Sequence, residues 1–128
     1  MEYKTKLTKD DAIFFMDMVG SVRSPNFVPR LHKRKPYYKI LNERNSEDYQ
    51  RFIRLYETMK HILTQREQTI LNEMYGLNQE RARLTTVGEL LNISRDRVRQ
   101  LRNGAENKIV KELLVKTNIT PPGRRERT

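Results

Sequence analysis

The same start signal for a helix occurs three times in this chain. Thr8 is followed three residues on by Asp11, Thr64 by Glu67, and Thr86 by Glu89. At that spacing a cap hydroxyl and an acidic side chain satisfy each other's backbone N–H groups. Ser46 and Ser94 supply two further caps. Behind each of the five signals the apolar residues recur at three- and four-residue intervals, which puts them on one helical face. The first set is Ala12, Phe15, Met16 and Val19; the second is Tyr49, Phe52, Ile53, Tyr56, Met59 and Leu63. The third is Ile70, Leu71 and Met74, the fourth Val87, Leu90 and Leu91, and the fifth Val98, Leu101, Ala105, Ile109 and Leu113. Gly20 and Gly76 stop the first and third. No segment alternates strongly enough to specify a strand. The expected fold is all-α with about five helices, and the aromatic stripe of the second helix is expected to be core.

Charge narrows the partner. The 128 residues carry 26 Lys and Arg against 16 Asp and Glu, a net +10. Residues 1–45 contribute ten basic and five acidic side chains, residues 46–63 three of each, and residues 64–128 thirteen and eight. A neutral middle thus separates two basic ends, which points to a polyanion, nucleic acid first. There is no cysteine, and His32 and His61 are the only histidines, so no disulfide, thiolate or histidine-rich metal site is expected. No apolar run reaches about 18 residues, so no membrane span is expected, and the N-terminus does not read as a secretory signal. A cytoplasmic setting fits.

Three regions are expected. Residues 1–61 form a helical extension that contains an irregular basic arm over 20–45, broken by Pro25, Pro29 and Pro36. Arg30, Lys33, Arg34, Lys35 and Lys39 of that arm are candidate phosphate ligands, with a solvated loop packed by Phe27, Leu31 and the tyrosines as the alternative. Residues 62–116 form the domain that carries function. Residues 117–128, with Pro121-Pro122-Gly123 and three arginines, read as a basic flexible tail.

Within 62–116 the fourth helix, the turn Asn92-Ile93-Ser94 and the fifth helix make a helix-turn-helix. The second helix of such a unit enters the major groove by its N-terminal turns. Arg95, Asp96, Arg99, Gln100 and Arg102 are expected on its outward side, with Arg97 on the flank and Thr86 at the start of the preceding helix. Arg can bridge guanine O6 and N7, Gln adenine N6 and N7, and Asp can accept from cytosine N4.

These residues, with Leu63-Thr64-Gln65-Arg66-Glu67, Tyr75-Gly76-Leu77 and Leu84 through Leu101, resemble region 4 of the sigma-70 family over about residues 62–114. The resemblance implies reading of the −35 promoter element and docking on the flap of the RNA polymerase β subunit. It implies base reading by Arg95, Asp96 and Gln100, and backbone contacts from Arg97 and Arg99. It also implies a polymerase cradle in Leu63–Leu77, with Leu71, Met74, Tyr75 and Leu77 as contact residues. The family's acidic pair is Thr85-Thr86 here, and Asn103, Gly104 and Asn107 stand where helix formers are common. The chain resembles a stand-alone region 4 protein of the phage or mobile-element type, acting in a bacterial or phage-infected cell on double-stranded DNA, without cofactor, metal or covalent chemistry.

Other readings compete. One is a self-sufficient dimeric repressor or activator, paired through Ile13, Phe14 and Met18. Another is a small metal-dependent nuclease built on Asp10, Asp11 and Asp17, although capping explains these more cheaply. A third is a polymerase inhibitor that uses DNA little, for which base-reading side chains would be superfluous.

Overall fold

The computed structural model describes residues 7–28, 35–77 and 80–119. Among them all regular structure is helical: α1 (Lys9–Val19), α2 (Glu47–Met59), α3 (Gln65–Tyr75), α4 (Leu84–Leu91) and α5 (Arg95–Thr117), with short 3-10 turns at Pro36–Lys39 and Lys60–Ile62. The caps at Thr8, Ser46, Thr64 and Ser94 form as expected. Thr8 Oγ1 accepts from the Asp11 amide at 3.0 Å, and Asp11 accepts the Thr8 amide in return. The Thr64–Glu67 box repeats this at 3.1 and 2.9 Å.

The fourth start differs. α4 begins at Leu84 behind Arg83, which makes no side-chain cap, so Thr86 lies inside the first turn and the Thr86–Glu89 box does not form. Half-buried Leu84 packs against the core, so tertiary contact begins the helix ahead of the local signal.

One continuous core runs through all five helices and does not divide at residue 61. Its centre is aromatic. Tyr75 of α3 meets Phe52 and Tyr56 of α2 at centroid distances of 4.8 and 5.2 Å, and Tyr37 at 5.3 Å. Phe15 of α1 stacks on Phe52 at 5.2 Å. Tyr49, Tyr56 and Met59 are buried as expected, Leu55 is buried as well, and Ile53 is only half-buried.

The described part of the arm is irregular apart from the 3-10 turn at Pro36–Lys39, and it is packed rather than solvated. Tyr37, Ile40 and Leu41 are buried. Ile13, Phe14 and Met18 of α1 are half-buried against the same core, and Phe14 carries the Arg51 guanidinium over its ring at 4.5 Å. The acidic residues of α1 do not converge. Asp11 caps the helix and pairs with Arg51 at 2.9 Å, whereas Asp17 accepts from Ser24 and Asn26.

Two glycines have opposite surroundings. A Cβ on Gly88 would sit 2.7 Å from the Ile93 carbonyl oxygen, because the chain doubles back over α4 at the turn. A Cβ on Gly104 would meet nothing within 4 Å. Gly104→Ala should therefore stabilise the fold by about 1 kcal/mol through helix propensity. Gly88→Ala gains the same propensity but adds an overpacking cost of about 1–3 kcal/mol, so a net loss is expected. Chemical denaturation of the two variants checks the opposite signs.

Candidate nucleic-acid interface

α4 ends at Asn92, which takes the left-handed conformation at φ 60°. The Ile93 amide then reaches back to the Gly88 carbonyl at 2.9 Å, closing the turn. Ser94 begins α5 by accepting from the Arg97 amide at 3.0 Å. Val87 and Val98 are both fully buried, one from each helix, and they lock the elbow into the core. The free end of α5 is thus presented on a rigid support.

That end is polar and outward. Arg95, Asp96, Arg97 and Gln100 are exposed, and Arg99 is half-exposed. Asp96 accepts from Arg99 through Nε at 3.0 Å and Nη2 at 2.8 Å, and from Gln100 Nε2 at 3.1 Å. Arg97 Nη1 donates to Gln100 Oε1 at 3.3 Å. These side chains hold one another in place. An exposed ion pair is worth only about 0.2–1 kcal/mol, so base edges or phosphates can replace the partners at little cost.

Beside Arg95 lies a hollow of about 520 Å³, bounded also by Tyr38, Arg81, Arg83, Leu84 and Thr85. The Arg81 guanidinium rests over the Tyr38 ring at 5.3 Å, and its buried Nε has no hydrogen-bond partner among the described residues. The first amides of α4 have no side-chain cap. Three arginines and an open helix N-terminus together suit an anion. Neither Arg81 nor Arg83 stands out in the sequence, since both lie in a stretch without periodicity. The only signal is a pair of arginines two residues apart just ahead of a helix. Thr86, one residue beyond Thr85, is exposed.

Several expected site residues lie elsewhere. Arg102 is only 7% exposed, not outward. It sits four residues after Val98 on the face that α5 buries, and donates to the Tyr38 hydroxyl at 2.9 Å and to Asn103 at 3.1 Å. Burial opposes its charge, but Tyr37 and Glu106 beside it outweigh this and raise its pKa. Lys35 is not a free phosphate ligand: its Nζ pairs with buried Glu106 at 2.8 Å and donates to the Val19 carbonyl at 2.8 Å. Lys39 is exposed at the end of its 3-10 turn, whereas Arg30, Lys33 and Arg34 lie outside the described residues. Leu71, Met74 and Tyr75 are buried in the core and present no docking surface; Leu77 is half-buried. Their apolar spacing marks the inward face of α3, which is why they cannot also be its outer one.

Glu106 ties the arm to the helix-turn-helix. Besides Lys35, it accepts from the Tyr75 hydroxyl at 2.6 Å. Burial, and then the Glu106 charge, push the Tyr75 and Tyr37 phenols well above the usual tyrosine range, so both stay neutral. On the other side of α5, Lys108 pairs with Glu67 of α3 at 2.9 Å.

Residues 61–109 match the family model described as sigma-70, region 4. No curated protein and no solved structure matches the chain. The match begins at the 3-10 turn before α3 and ends in the middle of α5, so it contains α3, α4, the turn and the exposed start of α5. No helix among the described residues is long and apolar enough to cross a membrane. Residues 61–109 are a helix-turn-helix domain of the sigma-70 region 4 type, the DNA-binding unit of a transcription regulator.

Proposed function

We propose that the chain selects promoter DNA of the −35 type through the start of α5 and acts on RNA polymerase through its β flap. The observation that supports this reading is the clustering of two chemistries at one end of the helix-turn-helix. Arg95, Asp96 and Gln100 are exposed, and Arg95 shares its hollow with Arg81, Arg83 and the open N-terminus of α4. Arg95 would bridge a guanine, Gln100 an adenine, and Asp96 would accept from a cytosine. Arg97 and Arg99 would take phosphates alongside, and Arg81, Arg83 and the Thr85 and Thr86 hydroxyls a phosphate at the start of α4.

With Leu71, Met74 and Tyr75 in the core, the polymerase contact is assigned to Leu90 of α4, 60% exposed, with half-buried Leu77 beside the end of α3 kept from the expected set. The test is a pull-down from nuclease-treated bacterial lysate, probed for polymerase β and β′. Both should be recovered by the wild-type chain and lost in Leu90→Asp, whose melting temperature should be unchanged. If the wild-type chain recovers no polymerase, the flap contact is withdrawn and the DNA-binding dimer takes its place.

A further inference from the structure

The helix that carries the base-reading residues keeps a polar outer face well beyond them. Asp96, Gln100, Asn103 and Asn107 follow at intervals of four, three and four residues, which places them on one side of α5. Gly104 lies beside them and fills no packing need, because nothing stands within 4 Å of where its Cβ would be. A bare helix backbone there leaves room for close approach. Along this face runs a groove of about 400 Å³, whose opposite wall is the loop after α1, with Ser21, Val22 and Arg23. This loop lies outside the segment that matches region 4.

Arg23 is held at the rim. Its amide donates to Ser21 Oγ at 3.1 Å, and its Nη1 donates to Asn107 Oδ1 at 2.8 Å. Asn107 is neutral, and Arg23 has no ion pair with a carboxylate among the described residues, so the guanidinium charge is left uncompensated. Its remaining donors are available. Lys35, which also borders the groove, is by contrast neutralised by Glu106.

We propose that the duplex read by the start of α5 is also gripped farther along that helix by the α1 loop, with Arg23 binding a backbone phosphate and Gly104 marking the closest approach of the DNA. This rests on the reading of α5 given above. It makes the N-terminal extension part of the DNA interface and lengthens the footprint beyond that of the helix-turn-helix alone. The occupant is a phosphodiester backbone because the wall offers an uncompensated arginine and neutral amides, its one carboxylate, Glu106, being paired with Lys35, and because Asn103 and Asn107 of that wall lie on the same side of α5 as Asp96 and Gln100.

The experiment is the salt dependence of binding by the full chain to a random-sequence duplex. Loss of one phosphate contact lowers the magnitude of the slope of log K against log salt by about 0.9, or about eightfold in affinity at roughly 0.1 M salt. Arg23→Gln is expected to show that loss. Arg23→Lys, which keeps the charge, is expected to retain the slope. The ratio of affinities for a duplex selected by the wild-type chain and for the random one should be unchanged in Arg23→Gln, since phosphate contacts carry no sequence information. A wild-type slope in Arg23→Gln overturns the proposal, as does an equal loss in Arg23→Lys, which would assign Arg23 to the structure of its own loop. The α5 reading is judged separately, by whether Arg95→Ala lowers the affinity ratio.

Discussion

Tyr75→Ala should destabilise the protein by about 3–5 kcal/mol, the range for removing a large buried ring. Tyr75 is fully buried, and its ring touches Tyr37, Phe52 and Tyr56, so the cavity would open where α2, α3 and the arm meet. Its hydroxyl also donates to Glu106 at 2.6 Å. Without that donor a buried carboxylate loses a hydrogen bond and leans more heavily on its ion pair with Lys35. Tyr75→Phe separates the two contributions: it keeps the ring and should cost about 1.5–3 kcal/mol, the worth of a hydrogen bond to a charged group. Urea unfolding of both variants checks the order. A Tyr75→Ala protein within about 1 kcal/mol of wild type would mean that the aromatic cluster is not what joins the extension to the helix-turn-helix.

That junction explains which parts of the molecule were legible in the sequence. Local signals are legible where the chemistry is local. The caps at Thr8, Ser46, Thr64 and Ser94 each bind an amide three residues away, so spacing alone reveals them. At α4 the spacing of Thr86 and Glu89 points to a later start, while the packing of half-buried Leu84 against the core, a tertiary fact, begins the helix earlier. The pairing of Lys35 with Glu106 spans most of the chain, and no local pattern announces it. Within the candidate site, Arg95, Asp96, Arg97 and Gln100 lie outward as the period of α5 requires. Arg102 departs from the outward expectation because its position on the helix outweighs its charge. The same period that buries Val98 buries the residue four places on, and a guanidinium can follow an apolar face inward when a hydroxyl and a carboxylate wait there.

The contrast between Arg95 and Arg102 is itself a prediction, and it separates reading DNA from holding the reader. Arg95→Ala and Gln100→Ala should each cost about 1–3 kcal/mol of discrimination at one base pair, and the double variant about 2–6 kcal/mol over two, because well-separated base contacts add roughly. Neither should unfold the protein, since both side chains are exposed. Arg102→Ala should do the reverse. It removes the donor to Tyr38 and a positive charge close to buried Glu106, so stability falls, whereas the preferred sequence stays the same. Binding selection from a random duplex pool, run beside thermal melts, gives both quantities for each variant. An equal loss by Arg95→Ala on every sequence would reduce Arg95 to a phosphate contact, and a changed base preference in a fully stable Arg102→Ala would return Arg102 to the interface. The physical basis of the split is burial. An arginine in water can exchange its partners for a base edge, but one enclosed by Tyr38 and Glu106 cannot leave without stranding a charge.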